Sequence, residues 1–326
     1  MTEQQTEKEE NKWINLIPYL LLALAIIAVS FAAVIVVKLQ QANVRSEVTA
    51  MYRTLFAGIG ALLISMGKKD ISWAKKRSTI KKYHWIILAG VLLAVHFATW
   101  FVSLEYVSVA ISTTMVDTVP IFLAIFGFVF FKEKVSWIGI VGIIITVGGG
   151  ILLAFAKSEE GVIGTNPMVG IVLAVIGALA VTFYFLIGKK ILIDSPLWPY
   201  FGLVNLISGI SLLIYNLIRG YELINHSSVI FLLFGLLAIG PSLVGHATYN
   251  YSMRRLPAFI VGVAIVGEPI GATILGIIVL GQIPSVTSIV YAIIMLAGIA
   301  LTSASPYLKN QKKRKKEEMV VVEEIN

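Results

Sequence analysis

Three ionisable residues stand where charge is expensive: Asp117, Glu268 and Arg53 each lie inside a long apolar run. On insertion scales such a charge costs about 2.5–3.5 kcal/mol near the bilayer centre, so a chain carries one only where it is paired, solvated or used. Two acids against one base leave one carboxyl without a partner, which suits a group that takes up and releases protons. Alternatively the three brace one another, with Arg53 paired to an acid. Pro120 and Pro269 fall within a turn of Asp117 and Glu268, about 12 to 13 residues into their runs. Each proline lacks an N–H and frees the carbonyl four residues back, at Val116 and Ile265. Such a break offers polar backbone at cavity depth and a hinge; a kink that only shapes packing is the plainer alternative.

A second group is aromatic and polar. His96 and Trp100 are four residues apart and therefore share a helical face; His246 and Asn250 repeat that spacing, with Tyr249 beside them. Facing a cavity, these five would form a substrate-binding lining in which Trp100 and Tyr249 stack on a planar or cationic solute. Facing a neighbouring helix, they would be packing residues with satisfied histidines. Two histidines without a third ligand make no metal site, and the chain has no cysteine, so neither a metal nor a cofactor is expected. Glu133, between Lys132 and Lys134, reads as a helix-end contact or interfacial anchor.

The elements that position these residues are membrane spans. Hydrophobic residues make up 58% of the chain and charged residues 13%, and the mean hydropathy is +0.89, far from the soluble range. Runs long enough to cross about 30 Å of hydrocarbon occur at roughly 14–37, 46–66, 84–104, 108–131, 137–156, 168–188, 198–218, 229–251, 256–280 and 285–305. The expected fold is all-α, a polytopic membrane protein of ten transmembrane helices. The acidic start, MTEQQTEKEENKW, differs from the basic start of a cleaved signal peptide, so the first run reads as a retained span. With the N-terminus inside, the inner segments carry 21 Lys and Arg and the outer loops 4, which places both termini in the cytoplasm of a cell-membrane protein. Trp13, Trp85, Trp137 and Trp198 each open an odd-numbered span at the same interface, while Trp100 lies deep in one. The net charge of +8 sits in loops and in the tail, as topology signals do, so no nucleic-acid partner is expected.

The chain also repeats itself. Sliding it by 149 positions lays the stretch from Ser103 on the stretch from Ser252 without a gap, with Pro120 on Pro269, Gly149 on Gly298 and Glu133 on Gln282. His96 to Trp100 then falls on Gly245 to Tyr249, where Ala and Thr match and an aromatic follows each time. Five spans per copy is an odd number, so the second copy enters the membrane from the opposite side and the repeats are inverted. The expected division is a cytoplasmic segment 1–13, five-helix repeats at 14–156 and 168–305, and a charged cytoplasmic tail at 306–326.

These blocks resemble the drug/metabolite transporter superfamily, and within it the EamA type of ten-span carrier. The residues that carry the likeness are the first span ending at Lys38, Arg53, the stretch SLEYVSVAISTTMVDTVPIFLAIFGFVFFKEK and the stretch GEPIGATILGIIVLGQ. Gln282 departs from the Glu usual in the second motif, and nothing near Val204 matches Arg53. The resemblance implies movement, most often export, of a small metabolite such as an amino acid through a central cavity lined by spans 1, 3, 4, 6, 8 and 9. The residues add proton coupling by alternating access, with a passive facilitator or channel as the rival. The sequence carries no constellation for an enzyme: it has no His-Glu-x-x-His helix and no Gly-x-Ser-x-Gly elbow. The expected partners are a small-molecule substrate, the lipid bilayer and protons.

Overall fold

In lipid a backbone must satisfy its own hydrogen bonds, and every regular element among the described residues is helical. The computed structural model describes residues 3–107, 109–157 and 166–280, and between 286 and 302 all but 288, 292, 295 and 296. Gln282 and the tail from 306 lie outside them, and the run expected at 285–305 is described only in part. The helices are α1 (Glu3–Gln41), α2 (Ser46–Gly67), the short α3 (Arg77–Ile80), α4 (Tyr83–Ser103), α5 (Val109–Val116), α6 (Val119–Phe131), α7 (Trp137–Lys157), α8 (Pro167–Leu192), α9 (Leu197–Ile218), α10 (Ser228–Leu237), α11 (Ala247–Met253), α12 (Ala258–Ile265) and α13 (Glu268–Leu280). Among the described residues six helical runs are long and apolar enough to cross a membrane, and shorter apolar helices lie at Val119–Phe131, Trp137–Gly149 and Ala258–Ala272. The helix of α1 begins at Glu3, inside the segment 1–13 expected to precede the first span.

Three runs expected as single helices are interrupted. The fourth breaks between Val116 and Val119 and the ninth between Ile265 and Glu268, so each proline is the second residue of the half-helix that follows. The eighth changes from α10 to a π-helical stretch at Ala238–His246, around Pro241, before α11 resumes. Such wide turns alter the facing of all that follows and gather at functional sites.

Equivalent helices of the two halves pack antiparallel. Gly58 of α2 meets Leu206 of α9, while Gly202 and Gly209 of α9 meet Leu62 and Leu55 of α2, in reversed order. A Cβ added at Gly58 would lie 2.8 Å from the Leu206 backbone nitrogen, so only glycine admits this approach. The same reversal recurs between the equivalent fourth and ninth runs, where Leu123 of α6 meets Gly262 of α12 and Gly127 meets Ala258, and between α7 and the last run, where Gly142 meets Thr302 and Gly298 meets Thr146. The remaining contacts exchange in kind: α4 packs on α8 as α1 packs on the run 228–253, and α5 and α6 pack on α8 as α12 and α13 pack on α1.

One contact joins the halves at a helix end. Lys132 takes a left-handed conformation (φ 57°) after α6, and the Glu133 N–H returns to the Gly127 carbonyl at 3.3 Å. This reversal brings the Glu133 carboxylate under the first turn of α12. It accepts from the Ala258 N–H at 2.8 Å and pairs with Lys189 Nζ at 2.6 Å, and Lys189 in turn donates to the Leu256 carbonyl at 2.8 Å. A carboxylate at a helix N-terminus also meets the positive end of its dipole. Glu133 is therefore a helix-end contact that spans both halves.

Candidate functional site

The breaks in the fourth and ninth runs open onto one cavity. Its walls are His96 and Trp100 from α4, Val116, Asp117 and Val119 from the first interruption, Val181 and Phe185 from α8, His246 and Tyr249 from the eighth run, and Ile265 and Glu268 from the second interruption. The space between these walls is narrow and admits only water-sized molecules. No residue of α1 lines it. That helix instead supports the second break: the Ser30 hydroxyl lies 3.4 Å from the Glu268 carbonyl, and a Cβ on Gly271 would collide with it. Gly267 is likewise closed in by Ile26 of α1.

The two aromatic clusters meet at this cavity. The His96 ring lies 5.8 Å from Trp100 and 6.2 Å from His246, which stacks on Phe185 at 6.1 Å and stands 5.9 Å from Tyr249. His96 Nδ1 donates to the Gly177 carbonyl at 2.9 Å, which defines its tautomer and leaves Nε2 as the ring's remaining nitrogen. Asn250 is placed differently from its four companions. It lies outside the lining, and its amide donates to the Tyr184 hydroxyl at 2.6 Å and the His246 carbonyl at 2.9 Å. The i+4 spacing put it on the face of His246, and it uses that spacing to bond back to its own helix and across to α8.

The charged residues do not form the brace that the sequence allowed. Among the described residues the ion pairs are Lys82–Asp194 and Lys189–Glu133, neither of them at the cavity. Arg53 is 1% exposed and outside the lining; its Nε donates to Ser242 Oγ at 2.9 Å, and its guanidinium lies 4.1 Å over the Phe97 ring. Asp117 and Glu268 are 4% and 7% exposed, and Asp117 Oδ2 and Glu268 Oε1 have no hydrogen-bond partner among the described residues. Trp100 Nε1, the Tyr249 hydroxyl and His246 Nδ1, on the same walls, also lack one. Buried polar atoms are almost always paired, so a concentration of unpaired ones marks a place where a ligand or water belongs.

Sequence reasoning passed over Phe185 and Ser242. Phe185 is one of many aromatic residues in an apolar run, and Ser242 gains its role only by meeting Arg53, 189 positions away. A weak signal existed in Pro241, which had to disturb the eighth span next to His246.

The chain is similar to known sequences along most of its length. The sequence model of the EamA-like transporter family matches residues 16–155 and again 168–304. An uncharacterized transporter of Clostridium kluyveri is 27% identical over 268 residues, covering 78% of this chain and 84% of its own. The uncharacterized transporter YdfC of Bacillus subtilis is 23% identical over 270 residues, covering 82% and 84%. A solved crystal structure of a protein superposes with a TM-score of 0.74 at 16% identity, over 89% of this chain and 98% of that one, which at such low identity speaks for the fold alone.

Proposed function

Because this chain belongs to the EamA-like transporter family and is a multi-pass membrane protein, we propose that it is a secondary carrier of a small metabolite such as an amino acid. In this reading it moves its solute outward by alternating access, coupled to protons. The single observation that carries it is the pair of helices interrupted at equivalent positions around one cavity, with one carboxyl oxygen of Asp117 and one of Glu268 unpaired among the described residues at the breaks. Interrupted helices put polar backbone and hinges at the depth where a carrier holds its substrate. Pro120 and Pro269 then act as hinges, and His96, Trp100, His246 and Tyr249 as the substrate lining, with Asn250 supporting them through His246. Arg53 biases the charge balance from behind Phe97 and Phe101.

The same reading assigns ten spans in two inverted repeats, 14–156 and 168–305, with the segments 1–13 and 306–326 in the cytoplasm of a cell-membrane protein. The antiparallel packing of equivalent helices supports the inversion, and the distribution of Lys and Arg supports the orientation. Ser72 and Ser227 are both exposed. Single cysteines placed there should react with a membrane-impermeant maleimide from opposite sides, Ser227→Cys in intact cells and Ser72→Cys only after lysis. Labelling of both from one side would refute the arrangement.

Transport itself is tested in liposomes holding the purified protein and a mixed pool of amino acids and biogenic amines. An imposed pH gradient should drive at least one of them uphill, read by mass spectrometry. A solute that moves only down its own gradient would make the protein a passive facilitator.

A further inference from the structure

We propose that the transported solute is an organic cation: an amine with an apolar or aromatic body and no carboxylate of its own, held between Asp117 and Glu268. This rests on the carrier reading and narrows its substrate.

The first argument is charge. Among the described residues the cavity walls hold two carboxyl groups and no lysine or arginine; the other ionisable groups facing it are His96, His246 and Tyr249. Arg53, the nearest permanent cation, bonds Ser242, lies against Phe97 and is outside the lining. Whatever occupies the cavity meets two carboxyl groups, and whenever either is ionised the apolar surrounding calls for a cation, either a proton or a substrate ammonium.

The second argument is hydrogen bonding. Asp117 Oδ2 and Glu268 Oε1 are acceptors with no donor among the described residues, on side chains more than nine-tenths buried. An ammonium brings several donors and a positive charge together, which is what two such oxygens lack. The third is the wall itself. Trp100, Phe185 and Tyr249 present aromatic surface beside the acids, and aromatic faces attract a cation and pack on an apolar or aromatic body. An amino acid fits less well, because its carboxylate would enter beside two acids while Arg53 stands outside the lining. An organic acid fits worst.

Compounds that share a body and differ in charge decide the matter. One series is 2-phenylethylamine, phenylalanine and 3-phenylpropionate; a second is tryptamine, tryptophan and indole-3-propionate; a third is isoamylamine, leucine and 4-methylvalerate. With the purified full chain, each is measured by the shift in unfolding temperature and by exchange in liposomes. In at least one series the amine should bind about tenfold or more tighter than its two relatives. Asp117→Asn combined with Glu268→Gln should erase that preference, whereas Glu268→Asp, which keeps the charge, should retain it; unfolding without ligand reports whether each variant folds.

Preference for the amino acid or the acid would overturn the proposal, as would an amine preference indifferent to the double substitution. If no amine binds while the mixed pool still yields a carried solute, the cation assignment falls and the carrier reading stands. If no solute of any charge moves, both fall.

Discussion

Glu268→Gln should uncouple transport: accumulation driven by a pH gradient falls by about tenfold or more, while exchange of solute across the membrane persists at saturating concentration. The argument starts from the cost of charge in an apolar place. A carboxylate that gains a proton loses its charge, and the site can then pass an apolar gate at lower cost. Glu268 opens α13 and faces the cavity from the break just before it, so a change in its charge acts on a segment already able to bend. Glutamine has the size of the protonated acid and cannot cycle. Asp117 remains to hold an ammonium in that variant, which is why exchange survives. Asp117→Asn is the companion measurement, since it shows which acid couples. Uphill transport by Glu268→Gln with an unchanged pH profile would make the glutamate structural.

A second large effect is expected from Gly58→Leu, which should leave almost no monodisperse protein on size-exclusion chromatography in detergent. The added Cβ alone would stand 2.8 Å from the Leu206 backbone nitrogen and 2.9 Å from the Leu206 side chain, and neither helix can retreat without losing the contacts of Gly202 and Gly209. Forcing extra carbons into a filled interface costs about 1–3 kcal/mol in milder cases, against a total stability of roughly 5–15 kcal/mol. Gly148→Leu is the control, because a Cβ there meets nothing within 4 Å among the described residues. A normal elution profile for Gly58→Leu would mean that the two helices are less closely held than their geometry states.

Glycine content alone does not say which face of a helix is covered: Gly58 meets Leu206, whereas a Cβ at Gly148 would meet nothing within 4 Å among the described residues. Other parts of the molecule were plain from sequence. Proline has no N–H to give, so Val116 and Ile265 could be named as the places where helical bonding fails, and α5 and α12 end at those residues. What a proline does not reveal is whether the helix bends or stops. Here two residues leave the helix each time, and the acids fall at inequivalent places, Asp117 within one interruption and Glu268 just after the other. A repeat register could not pair them. Trp100 was marked by its depth and is 3% exposed, while Trp137, at a helix start, is 75% exposed. Arg53 looked like a partner for an acid because both were charged and intramembrane. Its contact with Ser242 depends on the π-helical turn, which no period in the sequence announces.

The interleaving of the two halves also governs how the chain comes together. The main partner of α2 is α9, and that of α4 is α8, both made only after the first half is complete. Contacts so distant along the chain form late, after the loop entropy between them has been lost. During synthesis the first five runs therefore wait in the membrane with their glycine faces uncovered, able to meet the wrong neighbour. Each half is one side of an interface, and the main partners of α2 and α4 arrive with the helices translated later.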